Sequence, residues 1–71
     1  MRVRFSDLFR ENPDGTLSPL ATIAIGGVVI SPGVNFSRGV SFSGVDVFAF
    51  YGRDIEADLI NGVYVVRGFY G

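Results

Sequence analysis

Cysteine, histidine, lysine and tryptophan are absent from this 71-residue chain, and charge of either sign is sparse. Without cysteine no disulfide can form, and without cysteine or histidine the common zinc sites are excluded. The same absences remove the thiolate nucleophile, the imidazole base and the Schiff-base lysine from the catalytic repertoire. All six basic residues are arginine, a bias that genome composition explains as well as selection does. Charged residues make up 18% of the chain, against about 25% in an ordinary soluble domain. The net charge of −1 gives no general attraction to nucleic acid or to an anionic membrane. A long hydrophobic run is missing too: Gly15 to Ser37 is free of charge but is interrupted by Pro19, Gly26, Gly27, Pro32 and Gly33. A membrane helix needs about 20 predominantly apolar residues, so no membrane span is expected. Nor do the first residues, Met1 to Glu11, hold the apolar core of a signal peptide. The compartment stays open, because a cysteine-free chain suits either redox environment.

Apolar material, in contrast, is plentiful: 48% of residues are hydrophobic and 14% aromatic. A chain this short is a single domain spanning residues 1–71, and it hides only about 60% of the surface its unfolded form exposes. So small a core cannot hold that much apolar side chain. Domains of this size are usually reinforced by disulfides, by a metal or by association, and association is the route this composition leaves.

A six-residue unit, Gly-Val-x-apolar-Ser-x, occurs three times in succession from Gly27 to Gly44. Two geometries fit it. In one, Pro32-Gly33 and Arg38-Gly39 are tight turns between short strands, giving an antiparallel meander in which Val34 shares a face with Phe36 and Val40 with Phe42. In the other, each hexad is one side of a β-solenoid with glycines at the corners, and stacking between subunits completes it. The meander is the preferred expectation, with a small barrel as its closed form.

Around the repeat, Arg2 to Phe5 alternates like a strand, and Ser6 is positioned to cap a helical turn over Asp7–Glu11. Asn12-Pro13-Asp14-Gly15 is a turn. Gly26-Gly27 marks a bulge or bend within the apolar run from Ile23 to Ile30. Val45 to Tyr51, apolar on both faces apart from Asp46, reads as a central strand. Asp54 to Ile60 alternates, Asn61-Gly62 signals a two-residue turn, and Val63 to Tyr70 returns as a C-terminal hairpin.

Candidate chemistry is thin. Asp54, Glu56 and Asp58 share one strand face and have the spacing of a solvated surface. Asp46, embedded in an apolar run, is expected at a strand end or in an ion pair with Arg38 or Arg53. No catalytic residue, metal ligand or cofactor is assigned, and no enzymatic activity is expected. Val45-Asp46-Val47-Phe48-Ala49-Phe50 resembles the Asp-Val-Phe-Val-His-Phe strand of cold-shock domains, with Ala49 at the histidine position, and Arg38-Gly39-Val40-Ser41-Phe42 resembles their Lys-Gly-Phe-Gly-Phe segment. That resemblance implies a small OB barrel in which Phe42, Phe48 and Phe50 stack on single-stranded bases and Arg38 meets a phosphate.

The leading expectation is a non-enzymatic, self-assembling all-β structural protein, a subunit of a homo-oligomer or filament or of a larger assembly. Its contacts are assigned to Phe48, Phe50, Tyr51, Val63, Val65, Phe69 and Tyr70, with the C-terminal strand a sticky edge if unpaired. The alternative is a small OB-like or adaptor module that binds single-stranded nucleic acid or a protein strand.

Overall fold

The computed structural model describes residues 1–71. In chain order its elements are β1 (Arg2–Val3), a helical turn α1 (Phe5–Leu8), β2 (Phe9–Glu11), β3 (Leu17–Pro19), β4 (Thr22–Ile25), β5 (Val28–Ile30), a 3₁₀ turn (Val47–Phe50), β6 (Ile55–Ile60) and β7 (Val63–Phe69). The chain is all-β, as its patterning implies, but it is neither a meander, nor a closed barrel, nor a solenoid. Five strands form one mixed sheet in the order β1-β6-β7-β4-β5, and β2 with β3 forms a separate hairpin.

Three turns set this topology. Asn61 and Gly62 both take positive φ, 50° and 79°, the conformation of a type I′ turn, and join β6 to β7 as expected. Gly26 and Gly27, at 55° and 87°, do the same between β4 and β5, so the expected bend is a full hairpin turn. In Asn12 to Thr16 the Gly15 N–H donates to Asn12 O at 2.9 Å and the Asn12 N–H to Thr16 O at 2.8 Å, closing the β2–β3 hairpin. What the sequence conceals is the parallel pairing of β4 with β7, from Thr22 opposite Val63 to Ile25 opposite Val66. That pairing places β7 in the middle of the sheet, so the C-terminal strand is hydrogen-bonded on both sides and is not an edge.

Twelve buried side chains form the core. Ile23, Ile25, Ile30, Ile55 and Ala57 come from the inner face of the sheet. Phe5, Leu8, Phe9, Leu17, Phe36, Val47 and Phe48 come from the layer over it. Phe36 is the hub of that layer: Phe9, Phe42 and Phe48 meet its ring nearly edge-on, with centroids 6.0, 5.0 and 5.9 Å away. Burying each such side chain contributes about 1.5–3 kcal/mol.

Four local expectations are corrected. The helical turn begins at Phe5, one residue before Ser6, and ends at Leu8, because Phe9–Glu11 is drawn into the hairpin with β3. Its start is held by Asp7, whose carboxylate accepts the Arg4 N–H at 3.2 Å. Val45 to Tyr51 is not a central strand. Asp46 caps a 3₁₀ turn there, its Oδ1 accepting the Phe48 N–H at 3.0 Å instead of pairing with Arg38 or Arg53. Of the three hexads only the first holds a strand, β5; beyond it Ser31–Val34 and Ser37–Val40 are turns with Gly33 and Gly39 at φ 95° and 89°. Only Phe36 and Phe42 make isolated β-bridges, to Leu17 and Val45. Phe36 is consequently buried while Val34 and Val40 lie exposed, so the predicted pairing of faces fails. The cause is burial: the second and third hexads turn Phe36 and Phe42 toward the core, and the flanking turns leave Val34 and Val40 in solvent.

Candidate functional site

Directly paired residues in a sheet share a face, so the register shows which side chains lie opposite the core. One row across the outer face is Val29, Ala24, Val65 and Asp58. A second is Thr22, Val63 and Ile60. None of these residues is buried, whereas Ile23, Ile25 and Ala57, their neighbours in sequence, are. Val29 is 60% exposed and Ile60 47%. The outer face therefore carries a contiguous valine, alanine and isoleucine surface with no second layer over it.

Charge bounds this surface on one side. The Arg67 Nε–H donates to Asp58 Oδ2 at 2.8 Å, and Arg2 binds Asp54 at the same distance. Glu56 receives the Met1 ammonium at 2.8 Å and the Tyr70 hydroxyl on its other oxygen. The ammonium, and then the hydroxyl, hold the Glu56 carboxyl below its ordinary pKa, while Glu56 raises that of Tyr70. An apolar patch thus lies beside an ion-paired margin.

Arginines elsewhere cover aromatic rings. Arg2 lies 4.1 Å from the Tyr70 centroid, Arg38 5.0 Å from Phe48 and Arg53 5.9 Å from Phe50. Three of the six arginines are used in this way.

The residues assigned from sequence do not form one surface. Val63 and Val65 lie on the outer face. Phe48 is in the core at 7% exposure, and Phe69 packs against that core with its ring stacked on Phe50 at 4.3 Å. Tyr51 is exposed, its hydroxyl donating to Glu11 at 2.7 Å, and Tyr70 belongs to the polar margin. For base stacking, Phe42 and Phe48 both spend a ring edge or face on Phe36, Phe50 faces Phe69, and Arg38 lies on Phe48. Four outer-face residues, Thr22, Ala24, Val29 and Ile60, were missed. Their signal was indirect: Val63 to Val66 is apolar at both parities, which marks a strand with two apolar faces.

Compared with known proteins, the chain matches no family model, no curated protein and no solved structure. No helix is long and apolar enough to cross a membrane.

Proposed function

We propose that this protein is a self-associating structural subunit whose copies meet through the outer face of the five-stranded sheet. The observation that carries this reading is the row Val29–Ala24–Val65 and its neighbours Val63 and Ile60, apolar and uncovered in a chain with twelve core residues. A stable interface takes about 800 Å² from each partner, roughly a fifth of the 4108 Å² surface here. Copies packed face to face would bury the two apolar centres and leave the Asp58–Arg67 pairs at the rim. The phenylalanines assigned to nucleic acid are occupied by one another, which favours association over base stacking.

Val65→Lys tests this reading. Placed in the middle of the patch, the ammonium should shift the sedimenting species from oligomer to monomer while the far-UV spectrum stays unchanged. An oligomer of unaltered size in this variant would contradict the proposal.

A further inference from the structure

The two edges of the five-stranded sheet are protected unequally. The β1 edge has two residues, and Arg2 is tied to Asp54 beside it. The β5 edge, Val28–Ile30, has no charged residue anywhere between Gly15 and Ser37. Its valines are exposed, Val28 at 38% and Val29 at 60%. Charge and proline, two of the usual guards of a strand edge, are absent along these three residues, and of the three only Ile30 is covered.

Register then identifies the free groups. The Gly26-Gly27 turn is of the two-residue type, in which the flanking residues Ile25 and Val28 exchange hydrogen bonds. Bonded and non-bonded pairs alternate in an antiparallel ladder, so Ile23–Ile30 is bonded and Ala24–Val29 is not. The N–H and C=O of Val29 accordingly point away from β4 into solvent.

We infer that β5 is a docking edge for β5 of a second copy, antiparallel about a two-fold axis at Val29. This rests on the self-association reading and adds to it a backbone contact with a defined register. Val29 of each copy exchanges reciprocal N–H···O=C bonds with Val29 of the other, and Gly27 of each faces Ser31 of the other. Val28 comes opposite Ile30 of the second copy, whose side chain is buried in its own core, so the contact there is chiefly backbone. Nothing repels, because the paired segments carry no charge. The two sheets become one of ten strands, and the two Val29 side chains join the outer apolar surfaces into a single band.

Proline and cysteine substitutions test the register. Val29→Pro deletes the outward N–H and leaves the β4–β5 ladder intact, since that ladder does not use it. The dissociation constant should rise at least about tenfold, with the thermal transition unchanged when both chains are compared at concentrations where they are monomeric. In a second, independent test, Val29→Cys should give a disulfide-linked dimer under mild oxidation, because the two copies of residue 29 lie opposite each other within disulfide reach. Val28→Cys should not, because its opposite residue is Ile30. Cross-linking of both cysteine variants to the same extent, or a Val29→Pro variant that associates as tightly as the unaltered chain, overturns the edge contact. Association that survives Val29→Pro but is lost in Val65→Lys also overturns the edge and leaves the face. Association lost in Val29→Pro but kept in Val65→Lys supports the edge against the face.

Discussion

The two faces of the five-stranded sheet are built from the same residue types and meet different fates. On the inner face Ile23, Ile25, Ile55 and Ala57 are sealed beneath the hairpin, the 3₁₀ turn and Phe36. On the outer face Ala24, Val63 and Val65 are half-buried and Ile60 is exposed, and no residue of that row is sealed. Under the proposed self-association, stability and association are assigned to opposite faces of one sheet. A substitution at one parity should alter the fold, and at the other the partner.

The largest effect is expected from breaking the covered side. Ile55, fully buried opposite Phe69 and Val3, should lose about 2–5 kcal/mol as Ile55→Ala, because little can collapse into the space. In a 71-residue domain that is a large part of the total, and denaturant titration will show it. Next is Gly26→Ala, at the end of the inner face. A Cβ there would lie 2.6 Å from the Ser43 Cβ, on a backbone with φ of +55°. A loss of about 1–3 kcal/mol is expected, and adding Ser43→Gly should restore the part due to the contact while leaving the part due to φ. Val65→Lys sharpens the comparison from the other side: Val65 is half-buried, so the loss in unfolding should be about 1 kcal/mol, below that of Ile55→Ala, while association is lost.

The smallest effect lies at the polar margin and depends on pH. Glu56 has a lowered pKa, so its contribution is present above the ordinary carboxylate range and lost as pH falls through its folded value. Tyr70 has a raised pKa, so its contribution is full below the ordinary phenol pKa near 10 and lost as pH rises through its folded value. Tyr70→Phe should remove its share of the alkaline loss and move the acid limb slightly upward in pH. The Met1 ammonium, the larger cause of the Glu56 shift, remains in place. Thermal transitions across a pH series will measure both limbs.

Local signals in the sequence proved informative wherever structure is decided locally. Asn61-Gly62, the Asn12–Gly15 turn and the alternation from Asp54 to Ala57 all appear in the fold, because turn chemistry and a period of two need no distant partner. Strand order does not work that way. The parallel union of β4 and β7 joins residues some forty positions apart, and nothing in Thr22–Ile25 names Val63–Val66 as its neighbour. The hexads misled for a related reason. Their glycines do take positive φ, but a repeat of turns is not a repeat of strands, and Phe36 is held by Leu17 and three other rings, not by the next hexad. Val45 to Phe50 has strand composition, yet Asp46 caps a turn and buries Val47 and Phe48 beneath the sheet. A third of the candidate surface was legible, through Val63 and Val65. Thr22, Ala24, Val29 and Ile60 became visible only once register placed them beside those two.

Sedimentation of the unaltered protein over a wide concentration range tests the central claim most directly. The account predicts a mass that rises above 7.7 kDa with concentration toward a multiple of the chain. A single species of 7.7 kDa at every concentration would contradict it.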